Sequence, residues 1–413
     1  MKCRHCNSLL NVRLIDLGSA PASNAYLTQE ALSKPEKWYP LRVLVCTNCW
    51  LAQTEDYAEA DELFSPEYAY FSSFSTTWLD HSEKYVNAMI DRFSLNEKSL
   101  VVEIAANDGY LLQFALKKGV PSLGIEPTAS TAAAAREKGI EIIEEFFGIT
   151  LADHLKSLGR SADLMVANNV LAHVPDINDF VKGFSILLKS QGVATFEFPH
   201  LLRLIKENQF DTIYHEHYSY LSLTAVERIF AKNGLKVFDV EAIPTHGGSL
   251  RVFAQRSDTG KHEVSPKIQE LLTREEGAKM KTPGFYGDCQ SRFEKSKNEF
   301  LSFLLDIRRK GQSVAAYGAA AKGNTFLNFA GIRPDLLPFV VDRNPAKQGK
   351  FMPGSRIPIV TEDILRAARP LWVVILPWNL RDEVMTQLSY IRDWGGRFVT
   401  AIPELWVEEK ISS

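Results

Sequence analysis

At 413 residues the chain exceeds the size at which one hydrophobic core usually stops growing, so two or three packed units are expected. Its 45% hydrophobic and 23% charged content is that of an ordinary soluble globular protein, with no apolar run long enough to span a bilayer and no secretory signal at the start, so the expected location is the cytoplasm. A net charge of −3 with dispersed Lys and Arg offers no surface to neutralise a run of phosphates, which makes nucleic acid a poor partner.

Four of the five cysteines form two CxxC pairs near the start, Cys3 with Cys6 and Cys46 with Cys49. Each CxxC turn puts two thiolates on one side of a tight bend, and two facing bends make the tetrahedral sulfur site that Zn2+ favours. A four-thiolate shell has no open position, so the metal is expected to hold the fold rather than to react. Short apolar runs at 12–17 and 41–45 predict a small-stranded zinc ribbon, and the domain is drawn at 1–75. Its end, 68–75, is rich in tyrosine, phenylalanine and serine and leads into a helical pattern over 77–93. The fifth cysteine, Cys289, stands alone and is read as a bland thiol.

From residue 99 the pattern becomes strand, turn and helix in alternation, with strands at 100–105, 122–126, 164–168 and 192–198. That alternation predicts a parallel sheet with crossover helices. Further strands are expected at 242–244 and 249–255, the second as the antiparallel edge, which puts this domain at 76–257. A charged helical stretch over 267–310, broken at Pro283-Gly284, reads as a connector. A second α/β unit with strands at 314–317, 338–342, 371–376 and 397–401 completes a third domain, 258–413.

The first strand of the central sheet ends in Glu103-Ile104-Ala105-Ala106-Asn107-Asp108-Gly109, a small-residue turn opening a helix, and Glu126 ends the next strand where it can accept from both hydroxyls of a ribose. An ordinary α/β fold with Glu126 as a helix cap is the alternative. The turn lacks GxGxxG, and Asp108 would repel a pyrophosphate while suiting the ammonium end of S-adenosylmethionine. Glu103, Ala105, Asn107, Asp108 and Glu126, with Asn168 and Asn169 after a later strand, are therefore the expected S-adenosylmethionine ligands.

The densest cluster of reactive side chains is Tyr214-His215-Glu216-His217-Tyr218-Ser219-Tyr220. A metal site lacks a third ligand at helical spacing, and a polar surface loop is the plain alternative. The favoured reading is general base chemistry by His217 or Tyr214, with Glu216 orienting the base. The third unit carries another strand and small-residue turn at 317–325, with Lys322 and Asn324 beside a helix N-terminus that can receive a diphosphate. Asp342 ends the next strand as a ribose ligand would, Trp378 and Asn379 are placed to meet a base, and His246 before Gly247-Gly248 is expected to line the same site. A vestigial fold that merely packs is the alternative there.

These segments together, namely the paired CxxC knuckles, Tyr68-x-Tyr70-x-Ser72-Ser73 and the stretches 103–110, 168–174, 214–222, 246–251 and 318–325, resemble the sugar C-methyltransferases acting on nucleotide-linked 4-keto-deoxysugars, including C-3′-methyltransferases. The resemblance covers nearly the whole chain. It implies an α/β enzyme with an N-terminal zinc-ribbon module, a Rossmann-like S-adenosylmethionine core and a C-terminal Rossmann-like domain, with a sugar nucleotide bound between them. It also implies that His173, Tyr214, Glu216 and His217 surround the sugar, joined by one of Tyr68 and Tyr70. Ala105 departs from the glycine usual in that family. The chemistry follows: a carbon beside the ketone must lose its proton to a base, with His217 first and Tyr214 second, while His173 is expected to donate to the enolate oxygen. N- or O-methylation of such a substrate, or a non-catalytic zinc-bearing binding protein, are the competing functions. Tight coupling of three units predicts a monomer.

Overall fold

The computed structural model describes residues 1–55 and 71–409, so Tyr68 and Tyr70 lie outside the described residues. Three sheets organise the chain. The first contains β1 (Val12–Ala20), β2 (Tyr39–Val45) and β3 (Ala52–Thr54), all antiparallel. Alternation along β2 turns Leu41, Val43 and Val45 inward, and that face shares a buried cluster with Phe293, Phe300 and Phe326 of the C-terminal part. The small ribbon thus completes its core by packing on the rest of the chain.

The second sheet contains β4 (Val101–Ile104), β5 (Ser122–Ile125), β6 (Glu141–Ile143), β7 (Ala162–Asn168) and β8 (Leu188–Pro199) in parallel. β4 and β5 are buried at every position because helices cover both faces, which is why they read as unbroken apolar runs. One covering helix is α1 (Thr76–Phe93), capped by Ser75 Oγ accepting from the Trp78 N–H at 3.2 Å. The chain then adds β9 (Ser219–Tyr220) to the first sheet, paired with β3 as Ala52 to Tyr220 and Gln53 to Ser219. It returns to the second sheet as β10 (Leu235–Ile243) and β11 (Ser249–Arg256), giving the order β10-β11-β8-β7-β4-β5-β6. The antiparallel strand expected at 249–255 is present, but it is not the edge: β10 covers it, because the run at 242–244 is only the end of a strand starting at Leu235.

The connector is two helices, α2 (Pro266–Gly277) and α3 (Cys289–Arg309), with a 3-10 turn at Pro283–Tyr286 where the break was expected. Despite its charge α3 buries a stripe of Phe293, Phe300, Leu304 and Ile307. The third sheet has the order β14-β13-β12-β15-β16-β17, from β12 (Val314–Tyr317), β13 (Val340–Val341), β14 (Ile359–Val360), β15 (Trp372–Ile375), β16 (Arg397–Thr400) and β17 (Trp406–Val407). It is parallel except for β17, and α4 (Ala321–Phe329) follows β12. In both larger sheets the strand order reverses beside the first strand, between β4 and β7 and between β12 and β15, and the crevices at such points are where α/β sheets take ligands. No helix among the described residues is long and apolar enough to cross a membrane.

Candidate active site

The two crevices open into one cavity of about 590 Å³, walled by all three parts of the chain. On the β4 side the backbone leaves the strand through Ala105 (φ +56°), Asn107 (φ +50°) and Gly109 (φ +74°). Gly109 is required there, since a Cβ would lie 2.2 Å from Ile140 Cδ1. Glu126, 4% exposed, faces the cavity and accepts the N–H groups of Asn107 and Thr128, each at 2.9 Å. Burial raises its carboxyl, opposed by those two donors. Ala105, Asn107, Asn168 and Asn169 also line the wall, and both polar atoms of the buried Asn168 side chain have no partner among the described residues.

Two expected ligands lie behind this wall instead. Glu103 is fully buried beneath it, and burial drives it well above the usual carboxylate range. Asp108 serves the backbone N–H of Ser73 at 3.3 Å and pairs with Lys138 at 3.4 Å. Residues not anticipated are Trp78 of α1, Tyr110, and Glu145 with Phe146 after β6. This end of the cavity therefore collects the carboxylates of Glu126, Glu145, Asp176 and Asp179 around small residues. The donor set fits S-adenosylmethionine, which brings a diol and cationic groups but no phosphate.

Opposite stands the loop entering β9. Tyr214 Oη lies 2.8 Å from His217 Nε2, and His217 Nδ1 is 2.7 Å from the Thr212 carbonyl. A neutral imidazole has one N–H. The carbonyl claims it at Nδ1, so Nε2 holds the lone pair and Tyr214 donates to it. Burial, with the nearby His173 and Lys322, holds His217 well below its usual 6.5. His173 meets it edge-on at 4.6 Å, is pushed down to about 4 by burial, and gives its N–H to the Glu216 carbonyl. Glu216 accepts from Asn24 Nδ2 at 2.8 Å, while its other oxygen is buried without a partner among the described residues; burial lifts this carboxyl to about 7. His215 does not join them: it turns toward Pro40 and Tyr39, which disposes of a His215-Glu216-His217 metal site. The zinc module fastens this loop, through β9, through Asn24, and through Thr54, whose N–H reaches the Tyr218 carbonyl at 3.1 Å and whose Oγ1 donates to the His217 carbonyl at 3.2 Å.

The third wall is the start of α4 and the turn after β15. Ala320, Ala321, Lys322, Lys347 and Asn379 line it. Lys322 Nζ lies 3.0 Å from Asn379 Oδ1 and 5.1 Å from the centre of the Trp378 ring. Trp378 does not face the cavity; its Nε1 donates to Asp211 at 2.7 Å, and its ring packs on Gly247. Asn324, 1% exposed, donates to the Ser23 carbonyl at 2.6 Å, and Asp342 spends its two oxygens on the N–H groups of Ala319 (2.7 Å) and Asn344 (2.8 Å). Neither is among the residues that line the cavity. His246 is a cavity residue: its Nε2 accepts from Asn169 Nδ2 at 3.1 Å, and burial takes it down to about 3.

Away from the cavity, the sulfurs of Cys3, Cys6, Cys46 and Cys49 lie within 4.8 Å of one another, with 3.5 Å between Cys3 and Cys49 and between Cys6 and Cys46. Zn–S bonds of about 2.3 Å in a tetrahedron separate sulfurs by about 3.8 Å, so the set fits the ion. Both knuckles close alike: Asn7 (φ +61°) bonds back to the Cys3 carbonyl at 2.9 Å, and Trp50 (φ +63°) to that of Cys46 at 2.8 Å.

Three family models match the chain: a zinc binding domain over residues 3–64, a methyltransferase domain over 78–240 and a C-methyltransferase C-terminal domain over 244–403. The chain is 33% identical over 403 residues to C-methyltransferase NovU of Streptomyces niveus, covering 98% of this chain and 96% of that protein. Among solved structures it is similar to magnesium protoporphyrin IX methyltransferase (ChlM) from Synechocystis PCC 6803 with bound SAM, at a TM-score of 0.32 and 14% identity over 42% of this chain and 79% of that one. A S-adenosylmethionine-dependent methyltransferase from Clostridium acetobutylicum ATCC 824 gives a TM-score of 0.35 and 12% identity over 43% and 91%.

Proposed function

Because this chain belongs to the C-methyltransferase family, we propose that the carbon it methylates is C3 of a nucleotide-linked 4-keto-deoxysugar, made nucleophilic by removal of the proton beside the ketone. The chain is an S-adenosylmethionine-dependent enzyme with a structural zinc site. S-adenosylmethionine supplies an electrophilic methyl group. Glu126, Asn107, Asn168 and Asn169 are the residues proposed to hold that cofactor at the acidic end of the cavity.

The observation that carries the reading is the buried pair Tyr214–His217. A base for a carbon acid needs a lone pair at neutral pH and a fixed direction. His217 has both, with Nδ1–H anchored on Thr212 at 2.7 Å and Nε2 within 2.8 Å of a phenol that can pass a proton to it. Transfer to oxygen or nitrogen would require no carbon acid and only a weak base. At the far wall Lys347 and the N-terminus of α4 present positive charge to the same cavity, which suits the diphosphate of a sugar nucleotide. Acidic and basic ends thus favour a cationic cofactor and an anionic substrate meeting in the middle. Sugar nucleotide as the small-molecule partner, a monomeric state and a cytoplasmic location complete the proposal.

The test is product identity. Thymidine, guanosine and cytidine diphosphate 4-keto-6-deoxysugars are incubated with enzyme and 13C-methyl-labelled S-adenosylmethionine, and products are read by NMR. A labelled methyl on C3 is expected; a methyl on oxygen or nitrogen, or none with any of the three, sinks the proposal.

A further inference from the structure

Taking a proton from carbon beside a ketone places negative charge on the ketone oxygen, and preorganised charge or donors at that oxygen are usually the largest part of catalysis. The imidazoles around the cavity do not bring positive charge to it. His217, His173 and His246 are all held neutral by burial. His217 and His173 have also spent their single N–H, on the carbonyls of Thr212 and Glu216. The donor role expected of His173 therefore passes to another group.

Lys322, at the second position of α4, lines the same cavity as Tyr214 and His217. Its ammonium is held by Asn379 Oδ1 at 3.0 Å and by the Trp378 ring at 5.1 Å, and Trp378 is itself tied by a 2.7 Å bond to Asp211. Asp211 is the residue before Thr212, the carbonyl that orients His217. Cation and base are thus braced on one short turn, although they belong to different sheets.

We propose that Lys322 is a catalytic residue whose ammonium hydrogen-bonds the substrate's ketone oxygen and stabilises the enolate. This rests on the keto-sugar reading above. The step balances without an added reagent. The C3–H bond breaks, its electron pair becomes the π bond of C3=C4, the former carbonyl π pair moves onto the C4 oxygen beside Lys322, and the proton goes to the Tyr214–His217 pair. Formation of the carbon–methyl bond, as the methyl–sulfonium bond breaks and its pair leaves on sulfur as the neutral thioether, returns the carbonyl, and the Tyr214–His217 pair releases its proton to solvent. Two further facts agree: the charge of Lys322 contributes to lowering both His217 and His246, and burial draws the lysine below its ordinary range while Asp211 opposes this. A partly desolvated ammonium is a stronger partner for an oxyanion than one in water.

A lysine serving only the diphosphate predicts something different, and the two separate by which kinetic parameter moves. The wild-type enzyme and Lys322→Met are given S-adenosylhomocysteine in D2O with whichever of the three 4-keto-6-deoxysugar nucleotides the wild type methylates, and deuterium entry at C3 is followed by NMR. Expected for Lys322→Met is a fall in the saturated exchange rate on the order of 100-fold, with half-saturation within about threefold, and partial recovery in Lys322→Arg. Wild-type exchange at saturation with a raised half-saturation would assign the lysine to the diphosphate and overturn the proposal. Loss of cofactor affinity by calorimetry, equal to the loss of rate, would mark it as structural and overturn it too. Failure of the wild type to exchange or methylate any of the three instead removes the keto-sugar reading itself.

Discussion

Gly247→Ala is the sharpest probe of how the C-terminal wall is seated. Gly247 has φ +87°, and a Cβ there would lie 2.4 Å from Trp378 Cη2, 3.0 Å from Trp378 Cζ3 and 2.8 Å from Gln209 Nε2. The left-handed backbone costs an alanine about 1–2 kcal/mol, and forcing a methyl into a filled space typically costs about 1–3 kcal/mol more. Trp378 cannot easily yield, because its Nε1 is bonded to the buried Asp211 at 2.7 Å and Lys322 sits over its ring. A total of about 2–5 kcal/mol, at about 2 °C per kcal/mol for units of this size, lowers Tm by about 4–10 °C. Thermal unfolding of Gly247→Ala, Trp378→Phe and the double variant measures this. The smaller ring should return the overpacking share but not the backbone share, giving a coupling of about 1–3 kcal/mol. A single variant within about 1 °C of wild type, or a double variant with additive losses, refutes the reasoning.

Four other outcomes follow from the same geometry. Removing zinc with a chelator, or by Cys46→Ser, should loosen the sheet that holds β9 and cut turnover at least about tenfold, while S-adenosylmethionine affinity by calorimetry stays within about threefold; equal losses would mean that the module supports the whole fold. In Tyr214→Phe, deuterium entry at C3 should persist at a reduced rate if His217 takes the proton directly, and vanish if the phenol relays it. Since His217 lies well below 6.5, its lone pair remains available as pH falls from 8 to 6, and the saturated exchange rate should show no acid limb near 6.5; a limb there contradicts the buried neutral base. Asn24→Ala removes the Asn24 side-chain hydrogen bond to Glu216 Oε2 and should raise the carboxyl above about 7, so a 13C NMR titration that leaves Glu216 unmoved would deny the contact its effect.

Much of this architecture was readable because long-range order left local marks. The runs at 100–105, 122–126 and 164–168 are apolar because helices bury both faces of β4, β5 and β7, and the CxxC spacing is itself the geometry of the knuckles. Strands of two or three residues, such as β6, β9 and β14, carry too little periodicity to register, and the loss of β6 hid Glu145 and Phe146 behind it. Asp342 and Asn324 show the opposite failure. A carboxylate after a strand looks the same in sequence whether it lines the cavity, as Glu126 does, or lies off it, as Asp342 does, and both accept two backbone N–H groups. Asn24 and Asp211 were invisible because nothing near them in sequence explains them: Asn24 meets Glu216 across 192 residues and Asp211 meets Trp378 across 167.

His217 is the group proposed to receive the sugar's proton. Comparing His217→Ala with wild type for deuterium uptake at C3 under saturating sugar nucleotide and S-adenosylhomocysteine is the direct test. A fall of at least about 100-fold with cofactor affinity preserved is expected; uptake that continues at the wild-type rate contradicts His217 as the base.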